Sequence, residues 1–291
     1  MPLTLKELEG IQAECFAEDV SIELEKMQLW TMEEATRYFE SGGTEEPAHT
    51  PTSSAPTPLG RRPRVAILHG TAGNEQIVKM QLGRLLTKIK EFADVFVVEG
   101  SLVARDDDPQ TVSMKGFFGE KHTFKEYARA TADERGWRTY SGLEAAAATV
   151  EKAIAALPGG GGADVLIGFS QGANMISCLC GRAGAALAGA APPFRAAVLL
   201  APANPGWAKQ LPKAFANPLT TPTIIAFSDS DKNVNIEAGS GPRNNALLYA
   251  SGSVRVTQHA GPGHRPLPAD KDELAALIDA VVALIKEQCP Q

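Results

Sequence analysis

The sequence predicts an α/β fold, a mostly parallel sheet of about six strands with helices on both faces, behind a short N-terminal helical extension. Three observations predict it. Apolar runs such as "RVAIL", "DVLIGF" and "RAAVLL" are continuous rather than alternating, as in strands covered on both faces. Helical stretches separate these runs, so the connections read as crossovers between parallel strands. A single serine stands between two glycines where an apolar strand turns into a helix, in "VLIGFSQGAN", residues 165–174.

In chain order, residues 4–41 read as two or three short helices; Thr4 with Glu7 and Thr31 with Glu34 fit the capping box, and Gly42 and Gly43 end the last helix. Residues 43–62, "GTEEPAHTPTSSAPTPLGRR", are rich in Pro, Thr and Ser. They offer too little apolar surface to offset their ordering entropy, which predicts a flexible linker. The division expected is therefore 1–42, an extension; 43–62, a linker; and 63–291, the α/β domain. Within that domain the strands are "RVAILHG", "DVFVVEG", "DVLIGF", "RAAVLLAP", "TIIAFS" and "VRVTQHA". The helices are 74–91, 140–157, 171–183, 243–250 and 269–287, with long segments at 100–139 and 201–221. The tetraglycine at 159–162 precedes a strand and lacks the Lys-Ser/Thr ending of a phosphate loop, so it reads as a connection.

Composition removes several function classes. A net charge of −6 gives no basic footprint for nucleic acid. No apolar run approaches the roughly 18 residues of a spanning helix. The opening "MPLTLKELEG" has neither the basic nor the apolar region of a signal peptide, so the expected location is cytoplasmic. Cys15, Cys178, Cys180 and Cys289 have neither disulfide-framework nor zinc spacing, and no metal is expected.

The serine carries the chemistry. Gly-x-Ser-x-Gly between strand and helix is the nucleophile elbow, a turn so tight that its neighbours must be small. A serine hydroxyl needs a base, and the base needs an acid to orient it, in the chain order Ser, acid, His. Ser170 is the candidate nucleophile. After it come His259, at the end of a strand, and His264, in the loop "GPGHRPLP"; reach to the carboxyl edge of the sheet favours His264. The strand "TIIAF" runs into Asp229 and Asp231; Asp231, further from the strand, has the expected spacing, with Asp229 the alternative. An oxyanion hole needs two N–H groups. Gln171, where the helix begins, supplies one. Gly70 lets the loop after the first strand turn so that the Thr71 N–H supplies the other; His69 beside it reads as a structural loop residue.

The motifs "ILHGTAGNEQI", "FVVEG", "GWRTYSGLEA", "GFSQGAN", "SDSDKNV" and "GPGHRPLP" occur in the order of the FSH family of serine hydrolases, which the chain resembles over roughly residues 63–288. That group includes ovarian-cancer-associated hydrolases and fungal polyketide-releasing thioesterases. Asn74 after His-Gly, and Gly136-Trp137 before "GLE", favour it over acyl-protein thioesterases. The chain departs from the family pattern at Ser228 (usually Gly), Asn235 (usually Pro) and Thr71 (often bulky). The resemblance implies an α/β-hydrolase that cleaves a carboxylic ester or thioester through Ser170, His264 and Asp231, with no cofactor. Acyl transfer on the same triad, or a non-catalytic hydrolase-fold binding protein, is the alternative. The implied partner is a small ester or thioester; amphipathic helices such as 32–40 could dock on the core or on a second copy in a homodimer. The segment 100–139, with Phe117, Phe118, Phe124 and Tyr127, suggests a cover over an acyl pocket to which Phe117, Phe118 and Trp137 contribute from this segment and Trp207 and Phe215 from 201–221; the alternative is that these aromatics are ordinary core.

Overall fold

The structure, a computed structural model, describes residues 59–132, 138–186, 194–203, 205–231 and 242–290. The expected extension and nearly all of the expected linker lie outside them.

Six strands form the main sheet: β1 (Arg64–Leu68), β2 (Asp94–Val98), β7 (Val165–Phe169), β8 (Ala196–Leu200), β9 (Thr223–Ser230) and β10 (Val254–Pro262), in the order β10-β9-β8-β7-β1-β2. Every neighbouring pair is parallel. The three central strands β1, β7 and β8 are buried along their whole length, which is why their sequences do not alternate. Alternate residues nevertheless serve opposite faces. Val65, Ile67, Val165, Ile167, Val198 and Leu200 pack with α1 (Glu75–Gln81), α2 (Gly83–Lys90) and α6 (Lys271–Gln288). Ala66, Leu68, Leu166, Ala197 and Leu199 pack under α4 (Leu143–Ala155) and α5 (Gln171–Ala186). Each such fully buried aliphatic side chain is worth roughly 1.5–3 kcal/mol of transfer free energy.

This order fixes the place of a site. The chain steps from β1 out to β2, then returns past β1 to lay down β7, β8, β9 and β10 on the other side. Between β1 and β7 the connections diverge, and the crevice beyond their carboxyl ends is where open α/β sheets bind ligands.

Several elements differ from the sequence expectation. The helix expected over 74–91 is two helices, α1 and α2, broken at Leu82, whose backbone leaves the helical region (φ −101, ψ 9) just before Gly83. The helix expected from residue 140 begins at Leu143, because Arg138–Ser141 form β6 and Gly142 turns with φ 66. The 243–250 helix is a 3-10 helix, Pro242–Leu248. The segment 100–139 carries elements of its own: β3 (Leu102–Val103) pairs antiparallel with β4 (Lys125–Glu126), α3 (Pro109–Phe118) lies between them, and β5 (Arg129–Ala132) pairs antiparallel with β6. Asp108 caps α3 by accepting from Gln110 N at 2.9 Å.

Residues 59–62, the last of the expected linker, are held against the domain. The Leu59 N–H donates to the Pro290 carbonyl at 2.9 Å, and the Arg61 guanidinium grips Asp164 with two bonds of 2.7 and 3.0 Å. Asp164 also accepts from the Arg64 N–H at 2.8 Å, so this carboxylate anchors the start of β1. Among the described residues, no helix is long and apolar enough to cross a membrane.

Candidate active site

Ser170 follows the last residue of β7 and precedes the first of α5. Its φ is 52, a left-handed conformation that costs a non-glycine residue roughly 1–2 kcal/mol. Backbone bonds on both sides hold it there: Ser170 N–H to the Leu200 carbonyl at 2.9 Å, and Asn174 N–H to the Ser170 carbonyl at 3.1 Å. Both flanking glycines are required. A Cβ at Gly168 would lie 2.6 Å from the Gly172 carbonyl carbon, and one at Gly172 would lie 2.5 Å from the Leu68 carbonyl oxygen. The turn thus packs the start of α5 directly onto the end of β1.

The acid and base enter from the far strands. Asp231 follows β9, and His264 lies two residues beyond β10. The two meet: His264 Nδ1 is 2.6 Å from Asp231 Oδ2, and the carboxylate is 1 % exposed. With Nδ1 engaged, Nε2 is the imidazole nitrogen left for a substrate-side proton. The ring rests on Phe169, the residue before Ser170, with centroids 4.9 Å apart. The alternatives lie elsewhere. Asp229 is exposed. His259 is buried in β10 opposite Ser228, its Nδ1 3.3 Å from the Ala260 carbonyl.

The third component is the turn after β1. Gly70 to Gly73 forms a tight turn, closed by Gly73 N–H on the Gly70 carbonyl at 3.1 Å, with Ala72 at φ 53. A Cβ at Gly70 would lie 3.0 Å from the Phe169 ring and 3.3 Å from Ser170 Cβ, so this turn lies against the elbow. His69 holds it. The ring is fully buried; Nε2 lies 2.9 Å from the Gly100 N–H and Nδ1 2.7 Å from the Gly70 carbonyl. A backbone N–H only donates, so Nε2 accepts, and the proton therefore sits on Nδ1 and is donated to Gly70. The Gly70 carbonyl and the Thr71 N–H are two ends of one peptide plane. Fixing the first aims the second. Burial pushes the His69 imidazole down to about 4, against the hydrogen bond to Gly70, so the ring is neutral at pH 7.

Tyr127 ties the parts together, a role no local sequence signal carries. Its hydroxyl accepts from His69 N–H at 2.9 Å and donates to the Val98 carbonyl at 2.6 Å, and its ring stacks on His69 with centroids 4.7 Å apart. Its own N–H donates to Gln171 Oε1 at 2.7 Å, while Gln171 Nε2 donates to the Ala128 carbonyl at 2.8 Å. The side chain of Gln171 is consumed by this clamp. Its backbone N–H, in the first turn of α5, belongs to the groups that lack an intrahelical partner. One turn on, Asn174 Nδ2 donates to the Tyr140 hydroxyl at 2.7 Å and Asn174 Oδ1 accepts from Ala203 N–H at 2.9 Å, fixing the loop after β8.

The aromatics expected at one pocket fall in different places among the described residues. Trp207 is fully buried in the main core, edge-on to Phe215 at 5.6 Å. Phe117 is 82 % exposed near the end of α3. Phe118 packs on the small cluster of Ala72, Ile77, Ala104 and Phe124, supporting the turn after β1. Tyr127 is core and clamp, as described. Trp137 lies outside the described residues. Large aromatics gain most from full burial wherever it is offered, so size alone did not mark a pocket. Cys178 and Cys180 are buried, and desolvation pushes both thiols up, Cys180 to about 12, which leaves them unreactive. Among the described residues, no three of His, Cys, Asp and Glu gather in a way that could hold a metal ion.

Comparison with known proteins bears on the family and the fold. A family profile described as Serine hydrolase (FSH1) matches residues 59–277. Esterase OVCA2 of Xenopus tropicalis is 27% identical over 188 residues, 58% of this chain and 73% of that protein. The fold is similar to that of esterase PE8 (TM-score 0.52, 19% identity, 79% of this chain and 96% of that one). It is likewise similar to Zea mays acyl-protein thioesterase 2 (TM-score 0.51, 17% identity, 79% of this chain and 96% of that one). These likenesses give the α/β-hydrolase fold. With the family match spanning most of its length, the chain belongs to the FSH1 serine hydrolase family.

Proposed function

We propose that the protein hydrolyses a carboxylic ester or thioester of a small to medium acyl group through an acyl-enzyme on Ser170. The observation that carries this reading is the Asp231–His264 pair resting on Phe169, next to a serine held in left-handed backbone. An esterase among the relatives of known name supports the same class.

In this mechanism, His264 Nε2 takes the Ser170 hydroxyl proton as Oγ bonds to the acyl carbon. Asp231 stabilises the imidazolium through Nδ1–H. The carbonyl electron pair moves onto oxygen, and the N–H groups of Thr71 and Gln171 receive the negative charge. Collapse breaks the bond to the leaving alcohol or thiol, which departs with the proton from Nε2. Water then attacks the acyl-enzyme with His264 as base, and Ser170 recovers its proton as the acid leaves.

A fluorophosphonate probe with peptide mapping tests the proposal together with hydrolysis of p-nitrophenyl butyrate. The expected result is one label, on Ser170, and loss of several orders of magnitude in kcat in Ser170→Ala with the fold retained. More than a few per cent of residual activity in that variant, or a label elsewhere, would overturn it.

A further inference from the structure

The strands that carry the acid and the base are not in simple register. β9 and β10 pair residue for residue up to Ser228 opposite His259; the next pair is Ser230 opposite Pro262. β10 thus spends three steps where β9 spends two, which is a bulge of one residue. Gly261 lies in it with φ 127, backbone that only glycine adopts without strain. A bulge removes ladder bonds, and here two hydroxyls take up the loss: Ser228 Oγ and Ser230 Oγ both donate to the Gly261 carbonyl, with the two oxygens 3.2 Å apart. Ser228 is 2 % exposed, whereas Ser230 is exposed.

The position of this tie matters more than its strength. Asp231 is the next residue after Ser230, and its N–H turns back to the Ser228 carbonyl at 3.3 Å. His264 is reached from Gly261 through Pro262 and Gly263, the latter at φ 78. The base therefore hangs on a short loop with a glycine on each side of its proline. Among the described residues its lateral restraints include the tilted contact with the Phe169 ring, the Ala260 N–H on Glu273 Oε1 at 3.1 Å, the contact with Asp231 and the two serine hydroxyls. Besides the dyad itself and the ladder pair of Ser230 with Pro262, the hydroxyls join the acid segment to the base loop.

Resting on the triad proposed above, we infer that Ser228 and Ser230 are positioning residues: their shared grip on the Gly261 carbonyl sets the reach of His264 onto Asp231. Either hydroxyl alone keeps the carbonyl engaged, so the pair is partly redundant. The buried Ser228 bond, shielded from water, carries the larger share.

The experiment compares Ser228→Ala, Ser230→Ala and the double variant with the wild type. Loss of one neutral hydrogen bond is expected to lower kcat about two- to tenfold for Ser228→Ala and at most about twofold for Ser230→Ala. The double variant is expected to lose about a hundredfold, more than the product of the singles, as for a misplacement near 1 Å. KM stays unchanged. The acid limb of the kcat/KM pH profile moves to lower pH, because a loosened carboxylate supports the imidazolium less. Ser230→Thr restores the exposed hydroxyl and rescues the double variant in part. A second readout does not depend on turnover. The low-field proton resonance of His264 Nδ1–H should move upfield, or exchange faster, in the double variant while circular dichroism stays native. An unchanged resonance with an unchanged pH profile would overturn the inference, even in variants of lowered melting temperature. Failure of the triad reading shows separately, as no fluorophosphonate label on wild-type Ser170; the resonance then still decides whether the serines align His264 with Asp231.

Discussion

His69 offers the sharpest test of how the turn after β1 is aimed. Its Nδ1–H fixes the Gly70 carbonyl, and its Nε2 accepts the Gly100 N–H. Two amide side chains separate these roles. The amide nitrogen of Asn falls near the position of Nδ1, so His69→Asn keeps a donor for Gly70 and gives up the acceptor for Gly100. The amide end of Gln falls near Nε2, so His69→Gln keeps the acceptor and gives up the donor. Both remove the ring that stacks on Tyr127 and share that loss of packing. Deleting an oxyanion donor outright costs about 10²–10³ in kcat. In His69→Gln the Thr71 N–H remains but is no longer aimed, so a smaller loss of about 10- to 100-fold is expected, with KM little changed. His69→Asn should stay within a few-fold of wild type. The assay is steady-state hydrolysis of p-nitrophenyl butyrate, paired with inhibition by an alkyl boronic acid, whose tetrahedral adduct places an oxygen in the same hole. Inhibitor affinity should fall with kcat/KM in the Gln variant only. Equal losses in the two variants, or a Gln variant with wild-type kcat, would refute the reasoning.

The same residue makes a stability prediction with a definite sign. The folded imidazole sits at about 4, against 6.5 when unfolded, because burial disfavours its charged form. Between those values the unfolded chain binds a proton that the folded chain refuses. Stability is therefore intact above about 6.5 and declines as pH falls through 4, by ~3 kcal/mol in all at about 1.4 kcal/mol per pH unit. Both amide variants lack the titrating group. Their melting temperatures should fall less steeply than that of wild type over this interval, and parallel curves would show that His69 is not the group responsible.

Two further predictions concern the acid and the elbow. Asp231→Asn should lower kcat strongly, since an amide can hold the imidazole in the wrong tautomer, whereas the exposed Asp229 should tolerate the same change; rates for the two variants decide it. Gly172→Ala should fail to give an active protein, because its Cβ would meet the Leu68 carbonyl oxygen at 2.5 Å and the His69 carbonyl oxygen at 2.6 Å; a soluble variant with wild-type kcat would contradict the packing described for the elbow.

The parts of the candidate site that were legible in the sequence share one property: each lies just past the carboxyl end of a strand that announces itself by a continuous apolar run. Ser170 follows "VLIGF", Asp231 follows "TIIAFSDS", and His264 follows the end of "VRVTQHA". In a parallel sheet all those ends face one edge, so chain order narrowed the candidates to two histidines and two aspartates, and reach beyond the strand end favoured His264 and Asp231. What was not legible depends on register and on segments that meet only in space. The Ser228–Ser230 tie exists because β10 carries one extra residue relative to β9, and nothing local in either strand reports a mismatch between two strands. The surroundings of the aromatics were hidden for a related reason. Residue type says that Trp207 and Tyr127 seek burial but not against what; Trp207 fills the core, and Tyr127 becomes a clamp because Val98, His69 and Gln171 all converge on it.

That convergence gives the segment 100–139 a role besides the pocket cover that the sequence suggests. In the fold it brings Gly100, Tyr127 and Ala128 to the two proposed oxyanion donors from behind: Gly100 sets the tautomer of His69, Tyr127 bonds both His69 and Gln171, and Ala128 takes the remaining arm of Gln171. The two donors come from turns after different strands, β1 and β7, and a sheet fixes its strands better than the loops beyond them. A third segment that hydrogen-bonds both turns removes their relative freedom before substrate arrives. Preorganisation of that kind is what a developing oxyanion requires, since donors that must reorient during the reaction return part of their stabilisation. Gly100 fits the demand sterically as well: a Cβ there would collide with the Glu126 carbonyl, so the end of β4, just before Tyr127, can approach the chain after β2 only at a glycine.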